Sequence, residues 1–399
     1  MAEEPWLTII GLGEDGLTGL TDASRDALAQ AEIVTGAARH LALLTGLRAE
    51  TRVWPVPFAD GIAPLIALRG RRVVMLASGD PFWFGAGSVV TRHLAPGEWR
   101  AIPGVSCFAL AAARLGWPME ETVVLGLHAA PLARIRPHLA PGRRVLATLR
   151  DGEAVGNLAA YLTAAGFGSA QLSVLESLGG PRERVRQVAA ADYDLSDVTH
   201  PVAVGVEPAG DGAVLSLASG RADAWFDNDG QITKRPVRAL ALSALAPRPG
   251  ELLWDIGAGS GSISIEWLLA HPSLRAIGFE GNPERAARAR ENALRMGVDR
   301  LRVIDATAPD GLADQPRPDA VFVGGGLSQA LLDRLFALLP GGTRLVAHAV
   351  TLESEALIAR WHADKGGSLL RIELAEALPL GRKRGWKSAY PVVQWSVTL

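Results

Sequence analysis

Short apolar runs alternate with longer stretches of helical spacing along most of the chain. The predicted strands of the second half are 252–256, 276–279, 301–304, 319–323 and 344–347. Helical segments separate them, for example from Ile263 to Leu269 and from Glu284 to Met296. Strands that alternate with helices form a parallel, doubly wound sheet, which binds ligands at the carboxyl ends of its strands. The pattern therefore predicts the α/β class and the edge of the sheet where a site should lie.

The first half shows the same alternation, with glycine-rich turns after several strands. Residues 7–10 predict a strand, and a helix of small residues is predicted for 107–115. Between the halves, the turn-forming stretch 207–212 interrupts the pattern. We therefore predict two α/β domains, residues 1–210 and 211–399.

One predicted strand ends in a turn with glycine at every second position. The residues of this corner are Asp255, Gly257, Gly259, Ser260 and Gly261. Glycine permits positive φ and lets a ligand lie against bare main chain. A dinucleotide fingerprint needs a glycine where this chain has Ser262. The spacing therefore favours S-adenosylmethionine (SAM), which has no pyrophosphate; a dinucleotide site and a purely structural turn are the alternatives.

Acidic residues end the next two predicted strands. Glu280 lies 25 positions after Asp255, where a carboxylate can accept two hydrogen bonds from ribose hydroxyls. The alternative is that Glu280 caps the helix beginning near Pro283. Asp305 and Ala306 follow the third strand and are predicted to flank the adenine.

Composition narrows the class of protein. Of 399 residues, 48% are hydrophobic and 21% charged, which predicts a globular chain. The net charge of -2 gives no general attraction to nucleic acid. A single cysteine excludes an intramolecular disulfide and a cysteine-rich metal site, and no metal is expected. No apolar run reaches the roughly 18 residues of a membrane span, and the chain starts with the acidic MAEE, so we expect a cytoplasmic protein without membrane contact.

Motifs in both halves resemble known methyltransferase families. In the first half they are Gly11-Leu12-Gly13, SGDPFWFG at 78–85 and PGVSCFALAAARLGWP at 103–118, and this half is similar to the tetrapyrrole methylases. The second half, with QITKRPVRAL at 231–240 before the glycine corner, resembles the decarboxylating precorrin methyltransferases. The resemblance implies a tetrapyrrole-methylase domain of two α/β subdomains, followed by a Rossmann-like, doubly wound SAM-dependent domain.

The order of the two halves resembles the fused enzymes of aerobic cobalamin synthesis. It implies methylation of carbons 5 and 15 of precorrin-6B and decarboxylation of its ring C acetate, giving precorrin-8. It also implies one SAM per domain and self-association as a dimer or tetramer. The chain departs from many tetrapyrrole methylases at Glu14-Asp15, where Pro-Gly is common, and this leaves the contacts of the first loop open.

The resemblance assigns roles to several residues of both halves. In the first half, SAM is expected to contact Gly11, Gly13, Asp80, Pro81 and Ser106. Asp80 could instead act on the substrate or only brace its turn, and Ser106 could cap a helix. In the second half, Thr233 is an expected SAM contact, with a helix N-cap as the alternative.

Two groups of residues in the second half are candidates for handling the substrate. His348 and Glu353 follow a predicted strand and could move protons during decarboxylation; a structural role is the alternative for each. Arg382, Arg384 and Trp386 lie in a basic stretch that could bind substrate carboxylates through charge-assisted bonds and ring stacking. The alternative for this stretch is a solvated basic hairpin.

Three other functions compete with this hypothesis. One is an RNA or protein methyltransferase with an N-terminal recognition domain, although the polar Asn/Asp-Pro-Pro-aromatic motif of base-methylating enzymes is absent after the fourth strand. The others are a dinucleotide-dependent oxidoreductase and a regulatory SAM-binding protein without turnover.

Overall fold

The computed structural model describes residues 5–399; the acidic residues 1–4, used above against a signal peptide, lie outside the described range. The chain forms two compact units, the first ending at Ala213 and the second beginning at Val214, with Ala133–Pro137 belonging to the second. Within the described residues, no helix combines the length and apolar character needed to cross a bilayer.

The first unit begins with a five-stranded, all-parallel sheet. Its strands are β1 (Leu7–Leu12), β2 (Ile33–Gly36), β3 (Glu50–Val53), β4 (Val73–Ser78) and β5 (Trp99–Ile102). They lie in the order β3-β2-β4-β1-β5. All six residues of the interior strand β1 are buried, as expected of an apolar run covered on both faces.

A second sheet of the same unit mixes parallel and antiparallel strands. Its strands are β6 (Thr122–Gly126), β7 (Arg144–Leu149), β8 (Gln171–Glu176), β9 (Arg184–Ala189) and β10 (Val202–Glu207), in the order β6-β7-β10-β8-β9. The α-helices of the unit are α1 (Asp22–Gln30), α2 (Ala38–Ala42), α3 (Ile62–Ile66), α4 (Gly87–Val90), α5 (Cys107–Leu115) and α6 (Gly152–Ala164). The two sheets agree with the predicted pair of α/β subdomains.

The second unit contains a seven-stranded sheet. Its strands are β11 (Leu252–Ile256), β12 (Arg275–Phe279), β13 (Arg302–Ile304), β14 (Ala320–Val323), β15 (Arg344–Ala349), β16 (Ser368–Ile372) and β19 (Val392–Thr398). Their order is β13-β12-β11-β14-β15-β19-β16, and β19 runs antiparallel to both of its neighbours. The strand order reverses between β11 and β14, where doubly wound sheets bind their ligands.

Helices and one hairpin complete the second unit. The helices are α7 (Arg235–Leu245), α8 (Ser262–Ala270), α9 (Pro283–Arg295), α10 (Gln329–Leu338) and α11 (Leu352–Lys365). Seven of the nine residues of α8 are buried, and the polar residues Ser264 and Glu266 among them have hydrogen-bond partners inside the unit. The basic stretch predicted as a loop forms the exposed hairpin β17 (Ala375–Leu380) and β18 (Lys383–Ser388).

Candidate active site

The glycine corner joins β11 to α8 and needs glycine at all three positions. Gly257, Gly259 and Gly261 have φ of 73°, 56° and 75°, in the left-handed region that side chains rarely adopt. A Cβ on Gly257 would also lie 2.6 Å from the backbone nitrogen of Gly325, in the loop after β14. The two loops can therefore meet at this point only because Gly257 carries no side chain.

A cavity of about 860 Å³ lies against this corner at the carboxyl ends of the strands. Its volume falls within the range of roughly 300–1,000 Å³ that is common for small-molecule sites. The predicted site residues among those that line it are Thr233, Asp255, Gly257, Gly259, Ser260, Glu280, Ala306 and His348. Strands that are distant in sequence thus bring eight predicted residues to one place.

Asp255 is buried at the end of β11, with 1% of its surface exposed. Its Oδ2 accepts hydrogen bonds from the Ser264 hydroxyl (2.7 Å) and the Ser264 backbone N–H (3.2 Å). Burial raises the pKa of Asp255 to about 6. The Ser264 hydrogen bonds oppose this shift, and the nearby Glu280 adds a smaller increase. Asp255 therefore braces the first turn of α8 and titrates near neutral pH.

The raised pKa predicts a pH-dependent stability. Between the ordinary value of 3.8 and about 6, the folded chain holds a proton on Asp255 that the unfolded chain has released. This contribution to the free energy of unfolding is complete at low pH and is lost as pH rises through about 6. The Asp255→Asn side chain stays uncharged at every pH. We therefore expect the difference in free energy of unfolding between this variant and the parent chain to shift in favour of the variant, by on the order of 2–3 kcal/mol, as pH rises from about 4 to 7. Urea unfolding at several pH values measures this difference; a difference that does not vary with pH contradicts the prediction.

Glu280 supports the glycine corner directly. Its Oε2 accepts the Gly259 N–H at 2.8 Å and its Oε1 accepts the Asn282 N–H at 2.9 Å. The alternative role as a helix cap is wrong, because the N-cap of α9 is Asn282, whose side chain accepts the N–H groups of Glu284 and Arg285. Glu280 thus lies buried on the cavity wall, with its carboxylate at the corner.

Two smaller residues complete the corner. Thr233 lines the cavity but is not a helix cap: the N-cap position of α7 is Lys234, which makes no side-chain capping bond. The Thr233 carbonyl instead accepts a hydrogen bond from Arg238. The Ser260 hydroxyl is buried and, among residues 5–399, has no hydrogen-bond partner.

His348 lies on the far wall of the same cavity. Its Nε2 is 3.0 Å from Oε1 of Gln394, and its ring packs edge-on against Phe322 with 4.9 Å between centroids. Burial lowers the pKa of His348, and the hydrogen bond to Gln394 opposes this shift. The neutral form of His348 is therefore favoured at neutral pH. The site thus holds a neutral imidazole able to accept a proton.

Six predicted residues of the second half are not on the cavity wall, and one of them is Gly261, the N-cap residue of α8. Asp305 turns outward and pairs with Arg290 at 2.5 Å, so of the two residues predicted at this strand end only Ala306 lines the cavity. Glu353 lies exposed in the first turn of α11, whose capping box is formed by Thr351 and Ser354. The remaining three, Arg382, Arg384 and Trp386, lie on the exposed hairpin β17–β18, as the alternative of a solvated basic hairpin proposed.

In the first unit, the predicted glycines lie where strand ends meet. A Cβ on Gly11 would lie 1.8 Å from the Gly79 carbonyl oxygen and 2.2 Å from the Gly104 nitrogen. Gly13 follows β1, and a Cβ there would meet the Asp15 carboxylate at 2.6 Å. Gly11 therefore needs glycine for backbone packing, independent of any ligand, whereas the neighbour of Gly13 is the end of a flexible side chain.

Asp80, Pro81 and Ser106 have structural partners of their own. Asp80 Oδ1 accepts the Phe82 N–H at 2.8 Å and so braces its turn, while Pro81 is buried. Ser106 is the N-cap of α5, accepting the Ala109 N–H at 3.1 Å. Asp80 also lines a shallow cleft of about 530 Å³.

Sequence reasoning missed the aromatic wall of this cleft, Phe82, Trp83 and Phe84. Phe84 has φ of 53°, uncommon for a bulky residue, and its ring packs against Phe108 with 5.8 Å between centroids. A Cβ on Gly126 would lie 2.7 Å from the Phe84 ring. Three consecutive aromatic residues after Asp80-Pro81 were the available signal.

The second-unit site also contains residues that sequence reasoning did not select. Gln231, Asn282 and Arg285 line the cavity; Gln231 opens the stretch 231–240 that carries the resemblance, whereas Asn282 and Arg285 belong to none of the quoted motifs. Within residues 5–399, no group of three or more His, Cys, Asp or Glu side chains is placed to hold a metal ion.

Two family models match the chain, one in each half. Residues 6–194 match the Tetrapyrrole (Corrin/Porphyrin) Methylases, and residues 224–399 match the Precorrin methyltransferase domain. The fold and these two matches define the class as a two-domain methyltransferase.

Curated relatives cover the whole chain or one part of it. A protein of Sinorhizobium sp named precorrin-6Y C(5,15)-methyltransferase (decarboxylating) is 50% identical over 399 residues, covering 99% of this chain and 96% of the relative. A cobalt-precorrin-6B C(15)-methyltransferase (decarboxylating) of Salmonella typhimurium is 34% identical over 166 residues, covering 40% of this chain and 85% of the relative. A cobalt-precorrin-7 C(5)-methyltransferase of the same organism is 27% identical over 196 residues, covering 48% and 96%. The chain belongs to the precorrin-6Y C(5,15)-methyltransferase (decarboxylating) family, which confirms the resemblance seen in its motifs.

Proposed function

We propose that the chain methylates carbons 5 and 15 of precorrin-6B with SAM as the methyl donor and releases the ring C acetate carboxyl as carbon dioxide, giving precorrin-8. The full-length similarity to a relative named for both methylations and the decarboxylation carries this proposal. Separate relatives named for one activity each support a division of labour between the halves.

The residues of the glycine corner fit SAM. Gly257 and Gly259, both at positive φ, leave bare main chain on the cavity wall, and Glu280 lies beside it with a carboxylate suited to ribose hydroxyls. Gly257, Gly259 and Gly261 would hold the methionine part, with Asp255 and Ser260 behind them, Thr233 opposite, and Ala306 against the adenine. When bound, SAM supplies a methyl group for in-line transfer, for which the chain's task is to hold donor and acceptor in register.

Replacing Glu280 tests the cofactor assignment. We expect Glu280→Ala to weaken SAM binding by roughly 1–3 kcal/mol, because charged hydrogen bonds to the ligand and the bond to the Gly259 N–H are both lost. Glu280→Gln keeps the side-chain length and one acceptor oxygen, so it should lose less. Calorimetric titration of both variants with SAM gives the comparison, and equal affinity in Glu280→Ala and the parent chain removes Glu280 from the site.

Substrate handling in the second half is assigned to His348 and the basic hairpin. The neutral His348 imidazole on the cavity wall is the proposed proton carrier for decarboxylation. The hairpin joins the cavity rim through Leu374 and Ala389, which line the cavity on either side of β17 and β18. Arg382, Arg384 and Trp386 are therefore proposed to engage substrate carboxylates as the macrocycle approaches. Asp305 and Glu353 have no role in the proposal.

In the first half, the cleft beside Asp80 is the proposed place for methylation at carbon 5. Its exposed aromatic wall can stack on a flat conjugated ring, and the Asp80 carboxylate can accept a pyrrole N–H. Gly11, Gly13, Pro81 and Ser106 remain proposed cofactor neighbours, each with the structural role described above.

The division of labour predicts separable binding. We expect fragments 1–210 and 211–399 to bind one SAM each, the first for carbon 5 and the second for decarboxylation and carbon 15. The boundary between the two compact units, after Ala213, supports a cut close to this position. Calorimetry on each folded fragment is the measurement, and a fragment that folds but ignores SAM contradicts its half of the prediction.

Turnover tests the whole proposal. The full chain with precorrin-6B and methyl-labelled SAM should yield a product with two added methyl groups and one lost carbon dioxide, counted by mass. Labelled RNA or protein with no corrinoid product would instead favour the competing methyltransferase hypothesis.

The proposal also includes self-association as a dimer or tetramer and a cytoplasmic location. Light scattering of the purified chain checks the self-association.

A further inference from the structure

One wall of the second-unit cavity is a segment without helix or strand. This wall segment, residues 226–234, precedes α7, and its last four residues line the cavity. Its closest approach to the corner is at Gly259, where a Cβ would lie 3.9 Å from the Gln231 carbonyl oxygen. The space available to a ligand between segment and corner therefore depends on how firmly the segment is held.

One buried side chain of α9 joins this segment to the glycine corner. Asn292 is 1% exposed, and its Nδ2 donates to the carbonyl oxygens of both Asp227 and Ser260, each at 2.9 Å. Its Oδ1 accepts the Asp227 N–H at 2.9 Å and Nη2 of Arg295 at 2.8 Å. Both donors and both acceptor sites of the amide are used, so its position is fixed by its surroundings.

At the two ends of the segment, Phe226 is buried and the Thr233 carbonyl accepts a bond from Arg238 of α7; the other side-chain ties to the segment are exposed or local. Asp229 pairs with Arg285 at 2.7 Å and Asp227 with Arg288 at 3.3 Å, with the Asp227 side chain 65% exposed. Exposed ion pairs contribute little because water and salt screen them. The Asn228 amide bonds only within the segment, donating to the Phe226 carbonyl and accepting the Gly230 N–H. Neither kind of contact reaches the corner.

We propose that Asn292 is a positioning residue for the cofactor site, setting the distance between the wall segment and the glycine corner and so the fit of SAM between them. The inference rests on the proposed function, since it assumes that SAM lies at this corner. Asn292 is not on the cavity wall and acts through Asp227 and Ser260.

Asn292→Asp tests the role with little change in shape. The aspartate keeps the acceptor oxygen for Asp227 and Arg295 but cannot donate when ionised, so two buried carbonyls lose their donor. In equilibrium dialysis of the full chain with labelled SAM, we expect one class of sites to weaken about tenfold and the other to stay unchanged. In turnover, KM for SAM should rise in proportion, while kcat at saturating SAM stays within about twofold.

Asn228→Asp is the matched control, because it makes the same amide-to-carboxylate change within the wall segment, at a side chain that bonds only to Phe226 and Gly230 and does not reach the corner. Weakening in Asn292→Asp alone supports the proposal; equal weakening in both variants, or unchanged affinity in Asn292→Asp, overturns it. Asn292→Ala removes the same donated bonds without adding charge and must reproduce the loss if the aspartate variant fails to fold. A parent chain that binds no SAM at its second half overturns the proposed function, and the positioning role with it.

Discussion

Replacing Gly257 with alanine should abolish SAM binding in the second half of the chain. The new Cβ would lie 2.6 Å from the backbone nitrogen and 2.7 Å from the Cα of Gly325, so one of two tightly placed loops must move. The φ of 73° adds strain on the order of 1–2 kcal/mol. Because both loops line the cavity, we expect affinity to fall by at least about a hundredfold, or roughly 3 kcal/mol. Titration calorimetry with SAM measures the loss.

Gly250→Ala provides the matched control for this change. Gly250 has φ of 88° in the same unit, but nothing lies within 4 Å of its Cβ position and it is remote from the cavity wall. It should therefore lose a similar amount of backbone stability and keep its affinity for SAM. Equal loss of binding in both variants would assign the effect to backbone strain and not to contact between the loops.

The parts of the site that sequence predicted are those determined by local backbone. Gly257, Gly259 and Gly261 follow a buried strand in one continuous stretch, and their spacing requires a turn with positive φ whatever the rest of the chain does. Glu280 was predictable for a similar reason, because the end of the next parallel strand must lie at the same edge of the sheet. The fold class followed from the same alternation of strands and helices.

The parts that sequence missed depend on side-chain direction or on distant partners. Asp305 is at the predicted strand end, but Arg290 of α9 draws its carboxylate outward. Glu353 was assigned by its proximity to a strand, whereas Thr351 and Ser354 begin a helix there and leave Glu353 in solvent. Asn292 gave no signal, since its importance arises only when Asp227, 65 positions away, packs beside it.

Asp80 and Ser106 are intermediate cases. Asp80 follows a strand and Ser106 precedes a helix, as the sequence predicts, and each side chain has a backbone partner, Asp80 in its turn and Ser106 at the start of α5. Polar residues at strand ends often satisfy backbone N–H groups in this way, and sequence cannot separate that role from a ligand contact. The aromatic wall of Phe82 to Phe84 is a stronger structural indication of a site, because these large side chains remain exposed beside Asp80.

Replacing Glu266 with alanine should produce the largest loss of stability in the second half. Glu266 lies fully inside the unit on α8, where its carboxylate accepts the Gly220 N–H (2.7 Å), the Arg221 N–H (2.9 Å) and Nε of Arg238 (2.7 Å). Arg238 is itself 0% exposed. Removing the carboxylate leaves a buried guanidinium without its main counter-charge, which costs about 3–5 kcal/mol. Urea unfolding of the full chain, followed through the transition of its second half, measures the change.

Glu251→Ala is the control that isolates burial as the cause. Glu251 also pairs with an arginine, Arg344 at 2.5 Å, but both side chains keep partial access to solvent, at 14% and 12%. Its loss should therefore be clearly smaller than that of Glu266→Ala, and equal losses would refute the argument from burial. The comparison also bears on function. Arg238 donates to the Thr233 carbonyl on the cavity wall, and Glu266 lies on α8, whose N-cap residue is Gly261. A buried charge pair placed there links the stability of the second unit to the geometry of its cofactor site, so SAM affinity should fall in Glu266→Ala even under conditions where the chain remains folded.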